Sequence, residues 1–208
     1  MCVEVSITNL WMYLHIAIQT HLFTGLFITA HDAMHQSVSR SQRINLGFGY
    51  LVTFLYAGMN YKKLKTKHFD HHRYPGTNQD PDFHQSNRFF AWWFSFMKQY
   101  ISLWQLLIMA VLFNLMLLIF GEKELIVLWI LPSILSTFQL FYFGTFLPHR
   151  QPHTHLDPKH KARPLRKNHL WAFLSCYFFG YHLEHHIYPG TAWWKLHQHK
   201  TSTNQVET

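Results

Sequence analysis

Eight histidines fall into three tight groups: His31 and His35 in HDAMH, His68, His71 and His72 in HFDHH, and His182, His185 and His186 in HLEHH. Residues three and four apart are neighbours on a helix surface, so each group is expected to turn its imidazoles to a common point. Imidazole suits zinc, copper, iron and nickel, and the residue type alone leaves the metal open. The number of ligands narrows the class. A closed structural zinc site needs four, whereas eight clustered histidines can serve two metals. Soluble di-iron bundles pair Glu with Glu-x-x-His; here Ile187 stands three residues after Glu184, so the site would be built mainly from neutral histidine. The other histidines carry less signal. His84 and His149 are weak by spacing alone, and His153, His155, His160, His169, His197 and His199 read as solvated linker residues.

The acidic residues among these groups have two readings. Asp32, Asp70 and Glu184 can accept the free ring N–H of a ligand histidine and fix its tautomer, or they are exposed acids on a helix face. Asp80 and Asp82, in DPDFH, can cap and turn the chain around Pro81, or can orient His84 and neighbouring ligands. Asp32, Asp80, Asp82 and Glu184 are the catalytic candidates. A nucleotide site is not indicated, because Gly47-x-Gly49 is followed by Val52 where a third glycine would be needed. Cys2 and Cys176 are too far apart to suggest an iron–sulfur unit or a disulfide framework. Any redox partner must therefore be a separate molecule.

The elements that would position these residues look membrane-bound. The 208 residues are 49% apolar and 18% aromatic, and a mean hydropathy of -0.07 averages uncharged runs with heavily charged linkers. Leu10 to Ala30, Ile101 to Phe120 and Leu125 to Leu147 lack Asp, Glu, Lys and Arg and reach the ~20 residues needed to cross the hydrocarbon layer. They are read as three spans, the first interrupted by His15, Gln19 and His21. It makes a poor signal peptide, with no basic segment before it and a histidine group directly after. If all groups share one site, the chain must cross an even number of times between them. Leu46 to Tyr61 is too short for two spans and is expected to be a re-entrant or interfacial helix. The two later spans, joined by Gly121-Glu122-Lys123-Glu124, return the chain to the same side. Leu170 to Tyr181 is short for a span and is expected at the interface. The expected fold class is thus an all-α integral membrane protein, with about three transmembrane helices, re-entrant or interfacial helices, and a histidine-rich di-metal site on the cytoplasmic face.

Charge supports that orientation. Every Lys and Arg except Lys123 falls in a segment placed on the histidine side, which the positive-inside rule makes cytoplasmic. These basic runs suit anionic lipid headgroups, an acidic electron carrier, or both. The formal charge of +8 could also suggest nucleic acid, but no nucleic-acid motif is visible, and no such partner is expected. Residues 1–208 are read as a single domain with a disordered tail at 198–208. One span before His31 would put the N-terminus outside, whereas histidine-cluster membrane oxygenases usually begin with a hairpin of two. The chain is therefore expected to lack a first span.

Three boxes of the form HxxxH, HxxHH and HxxHH, with two spans between the second and third, resemble the membrane fatty-acid desaturase and hydroxylase superfamily. The longer strings FITAHDAMH (27–35), DPDFH (80–84), FYFGTFLPH (141–149) and YHLEHHIYP (181–189), followed by Trp193-Trp194, resemble the bacterial β-carotene ketolases, or carotenoid 4-oxygenases, over most of the chain. Gln36 departs from that family, which commonly carries Gly directly after HDAMH, and could alter the tightness of the turn. The basic segment after His149 departs as well. The resemblance implies a non-haem di-iron oxygenase that uses O2 to place a keto group at C4 of a β-ionone ring, through two hydroxylations and loss of water. It implies two Fe ions held by the eight box histidines, with His149 as a ninth ligand, and a ferredoxin-type electron donor.

Two other functions remain open at this level. An acyl-lipid desaturase or a carotenoid hydroxylase would use the same metal site, and box spacing does not separate them from a ketolase. A membrane metal-binding or transport protein would hold its sites near the midplane, where His15 and His21 are the only candidates. The aromatic runs Phe89-Phe90-Ala91-Trp92-Trp93 and Phe138 to Phe146 could line a tunnel for a polyene. The more ordinary reading is that Trp and Tyr collect at interfaces and Phe fills cores.

Overall fold

The computed structural model describes residues 5–150, 157–163 and 168–199. Among these the secondary structure is entirely helical. The long elements are α1 (Leu10–Met34), α2 (Gln42–Ala57), α3 (Tyr61–Arg73), α4 (Phe89–Tyr100), α5 (Leu103–Met116) and α6 (Glu122–His149). Two short helices follow, α7 (His169–Cys176) and α8 (His182–Ile187), then a 3-10 turn at Trp193–His199. Local sequence explains most of the starts. Asn9, Ser41, Asn60, Ser102 and Asn168 each stand just before a helix and accept a backbone N–H from its first turn with the side chain, which satisfies a donor that the helix leaves open.

Helices α1 and α6 run side by side in the same direction. Lys123 Nζ, at the start of α6, donates to the Val5 carbonyl at 2.6 Å; midway, Thr24 donates to Gln139 Oε1 at 2.6 Å. Both helices therefore finish at one end of the molecule, where His31 and His149 lie. Helix α6 contains two π-helical stretches, Ile126–Ile130 and Phe141–Phe146, each just ahead of a proline, Pro132 or Pro148. A proline inside a helix has no N–H to give and collides with the carbonyl four residues back. The wider i→i+5 turn makes room for it without ending the helix.

The segment expected to turn back on itself does so as two helices. At the C-terminal end of α2, Tyr56 packs on Phe23 and Phe27 and bonds Ser136 at 3.0 Å, which places it halfway along α1 and α6. The chain reverses at Gly58, whose left-handed φ of 61° is free of steric cost only for glycine. Helix α3 then climbs back, carrying the second histidine box to the end where α1 stops. Val52, Tyr61 and Leu64 pack with Ala30 and Met34 in this region.

The three expected spans are matched only in part. The run Ile101 to Phe120 is not one helix. Its first two residues, Ile101 and Ser102, form an 87° bend from α4, and the 14 residues of α5 end at Met116, extending only about 21 Å, short of the ~30 Å hydrocarbon core. Ser102 caps a new helix there rather than continuing the old one. Helix α1 is long enough, at 25 residues, but His15, Gln19 and His21 dilute its apolar character. Among the described residues, only Glu122–His149 is both long and apolar enough to cross a membrane, or two elements if the bent α4/α5 pair counts as one. The outer surface is nonetheless apolar: Leu10, Leu103, Leu118 and Ile119 are about four-fifths exposed, while Thr24, Asn45, Thr53 and Ser136 are buried. Most of the expected tail, 200–208, lies outside the described residues, as do His153 and His155. Gln198 and His199 fall in the 3-10 turn, and His199 stacks on Tyr188 at 4.1 Å.

Candidate metal centre

At the shared end of α1 and α6, nine histidines collect into two groups. His31, His35, His68, His72 and His185 form one; His71, His149, His182 and His186 form the other, with the ring nitrogens of each group within 4.8 Å of one another. In the first, Nε2 atoms face each other from His31 to His185 at 3.0 Å, His185 to His72 at 2.9 Å, and His72 to His68 at 3.1 Å. In the second they run from His71 to His186 at 3.1 Å, His186 to His182 at 3.0 Å, and His182 to His149 at 2.9 Å. The groups abut: the rings of His72 and His186 are centred 4.3 Å apart.

The expectation that each box serves a common point is corrected here. At about 100° per residue, positions i and i+4 differ by about 40°, whereas i+3 and i+4 differ by about 100°. His68 and His72 accordingly enter the first group while His71 enters the second. The third box divides by the same rule in mirror image, with His182 and His186 in the second group and His185 in the first. His149 completes the four-membered group from the end of α6.

Neighbouring acceptors fix how these rings point. His71 Nδ1 lies 2.9 Å from Asp80 Oδ1, and His149 Nδ1 lies 2.7 Å from the Lys161 carbonyl. A carbonyl can only accept, so His149 carries its proton on Nδ1 and aims an Nε2 lone pair into the group. Asp80 does both things considered for it. It accepts the Gly76 and Asp82 N–H groups, each at 2.8 Å, and holds His71 rather than His84. Asp32 is only 3.4 Å from His31 Nδ1; its other oxygen accepts the Trp193 N–H at 3.0 Å. Asp82 accepts from the Tyr100 hydroxyl, and its second oxygen is 3.9 Å from His71 Nδ1. Glu184 is buried on α8 between the ligand positions. The side chain of Asp70 makes no hydrogen bond to a histidine among the described residues.

Burial drives the ring pKa values down, to about 4 for His35 and about 2 for His72, and well below the ordinary value for His68, His182, His185 and His186. Neutral rings keep their lone pairs available. Burial also lowers His71, but the charges of Asp80 and Asp82 carry it above its ordinary value; a bound cation reverses that, since metal and proton compete for one nitrogen. Burial raises the Asp82 carboxyl to about 6. The donor sets suit first-row metal ions that accept imidazole. The Nδ1 atoms of His182 and His186 are buried with no hydrogen-bond partner among the described residues.

Beside the two groups lies a cavity of about 240 Å³. One end is closed by His31 and His68 of the first group, His71 and His182 of the second, and Asp82 and Tyr100. The remaining wall is mainly apolar and rich in methionine, with Met34, Met59, Met97 and Met109 beside Phe27, Phe96 and Phe179. The aromatic runs contribute little to it. Phe89, Trp92, Phe141 and Phe146 pack on one another in a core that meets the cavity through Phe96, which is the ordinary reading of those residues.

The remaining sequence candidates sit elsewhere. His84 accepts the Ser86 N–H in a local turn, and His21 stacks on Tyr177; neither joins a metal group. His160 is not fully solvated, its ring lying 5.9 Å from that of His186. Sequence reasoning missed Tyr100, the Lys161 carbonyl and the Trp193 N–H. Backbone groups leave no compositional trace, and a single Tyr at a helix end carries no pattern.

Comparison with known proteins agrees with this picture. The family model described as fatty acid desaturase matches residues 8–107 and 96–204. The chain is 43% identical over 185 residues to the "Beta-carotene ketolase" of Paracoccus sp. (strain N81106 / MBIC 01143), covering 88% of this chain and 76% of that protein. It is 41% identical over 180 residues to the "Beta-carotene ketolase" of Paracoccus sp. (strain PC1), covering 85% and 74%. Over 182 residues it is 43% identical to a "Zeaxanthin 4-ketolase" of Chlamydomonas reinhardtii, covering 84% of this chain and 41% of that one. No solved structure matches the chain significantly.

Proposed function

The chain belongs to the fatty acid desaturase family and, within it, to the β-carotene ketolases, and from that premise we propose that it is a non-haem di-iron oxygenase placing a keto group at C4 of the β-ionone ring of β-carotene. The observation that carries this reading is the junction of one apolar cavity with both histidine groups. A ring end lodged there lies against both candidate metal positions at once. Each oxygenation takes one O2, two electrons and two protons, places one oxygen atom on the ring carbon and releases the other as water. Two at the same carbon give a geminal diol, which loses water to leave the ketone.

Bound in the two groups, iron would supply the activation of O2 and the removal of hydrogen from the ring carbon. His31, His35, His68, His72 and His185 would hold one ion, and His71, His149, His182 and His186 the other. The protein's own part is orientation and exclusion. Asp80 holds His71 in the tautomer that leaves Nε2 bare, as carboxylate partners of ligand histidines do, and Asp32, Asp82 and Glu184 are positioning residues around the same centre. The cavity keeps water from the reacting carbon, and its methionines adapt their shape to a bulky ring.

In this reading 1–208 acts as one membrane domain. Helices α1 and α6 and the bent α4/α5 pair cross the bilayer, with lipid against the exposed Leu and Ile. Lys123 beside Val5 marks the far side, and Arg73 and Arg150, exposed directly after the ligand positions His72 and His149, favour a cytoplasmic metal face and an acidic, ferredoxin-type donor. The test is pigment analysis from a bacterial host that makes β-carotene, beside a His71→Ala control. A ketone formed only by the unaltered chain supports the reading. Alcohol alone points to a hydroxylase. Unchanged carotenoid, with the iron-loaded protein in the membrane, overturns the reading and favours an acyl-lipid substrate.

A further inference from the structure

Several hydroxyls line the cavity. Ser133 and Thr137 donate to the Ile130 and Ile134 carbonyls at 2.7 and 2.8 Å, and Tyr56 is paired with Ser136, but these lie level with the middle of α6, well short of His149 at its end. Tyr100 differs in position. It lines the cavity at the metal end beside Asp82, donates its proton to that carboxylate, and so presents its oxygen as an acceptor. A phenol has lone pairs to offer after donating, and donation to a carboxylate makes its oxygen the better acceptor. A hydrocarbon ring has nothing to give that oxygen. The alcohol left by a first oxygenation has an O–H. In an apolar cavity that hydroxyl needs a partner, since an unmet polar group is costly to bury.

We propose that Tyr100 is a specificity-determining residue that accepts a hydrogen bond from the hydroxyl of the first-oxygenation product, retaining the ring alcohol in the cavity for the second oxygenation. This rests on the ketolase reading and deepens it. The residue separates an enzyme that carries the ring through to ketone from one that releases alcohol.

The experiment uses the full chain in detergent and measures binding by quenching of tryptophan fluorescence. The probes are β-carotene, its 4-hydroxy derivative and the 4-methoxy derivative, which has lost the donor. The unaltered chain is expected to hold the alcohol about 3- to 10-fold more tightly than the methyl ether, the range one hydrogen bond supplies. Tyr100→Phe abolishes that preference, weakens the alcohol more than β-carotene, and shifts products in the β-carotene host from ketone to alcohol. No preference for alcohol over ether in the unaltered chain overturns the proposal even if the variant does not fold. So does equal weakening of hydrocarbon and alcohol by Tyr100→Phe. A chain that makes ketone without this preference defeats the Tyr100 proposal alone, whereas one that oxidises no carotenoid defeats the ketolase reading and this proposal with it.

Discussion

Asp80 Oδ1 and His71 Nδ1 lie 2.9 Å apart in the buried interior, and this pair settles which ring nitrogen His71 presents to its neighbours. The carboxylate is itself held by two backbone N–H groups, from Gly76 and Asp82. It is therefore a fixed support. Asp80→Asn keeps the size but lets the amide rotate its NH2 towards His71. The expected result is a 10- to 100-fold loss in metal affinity or activity, the usual range for such partners, with little change in expression. Metal titration of the purified variant checks it.

Much of this site was legible in the sequence, because ligand type and helical spacing appear directly in HDAMH, HFDHH and HLEHH. The division into five and four ligands was also implicit in the spacing, since i and i+4 share a face while i+3 turns away. Other parts left no pattern. The placement of His149 depends on the π stretch Phe141–Phe146, which shifts register without any signature except Pro148. The early end of α5 at Met116 lies inside an uncharged run that reads as continuous to Phe120. The supports from Lys161 and Trp193 come from backbone atoms, and no residue type announces those.

Gln36 follows the first box with a φ of 60°, where a side chain costs about 1–2 kcal/mol and glycine does not. Gln36→Gly is expected to raise stability, by about 0.5–1 kcal/mol after the extra chain entropy of glycine is counted. Thermal unfolding of the two proteins in the same detergent measures it. A lower melting temperature in the variant would count against strain at this turn.

A Cβ added to Gly144 would meet Phe179 Cε1 at 2.5 Å, and the Phe179 ring is wedged against His31 and His182. Gly144→Ala is expected to cost about 1–3 kcal/mol through overpacking and to lower activity by displacing those rings. Gly47, on the exposed side of α2, has nothing within 4 Å. Gly47→Ala is expected to stabilise by about 0.5–1 kcal/mol. Opposite signs in paired melting curves would bear out the close approach at Gly144.

Acid should destabilise the metal-free protein. His72 and His35 are depressed to about 2 and about 4, from 6.5, with four further rings lowered in the same direction. Above pH 6.5 neither state is protonated and the full stability is present. As pH falls below that, the unfolded chain takes up protons that the folded one refuses, and stability drops towards pH 4. The raised His71 opposes this, but it is one ring against six. A melting temperature that stays level between pH 7 and pH 4 would contradict neutral packing of the histidines.

The central claim is that the two histidine groups are two separate iron sites, and metal content per chain tests it most directly. Protein purified from iron-supplied cells is compared with His149→Ala/His182→Ala and His35→Ala/His72→Ala double variants, one pair from each group. The account predicts two irons per chain in the unaltered protein and one in each variant, with carotenoid oxidation lost in both. A single metal per chain, bound zinc in place of iron, or loss of all metal from only one of the two variants would contradict it.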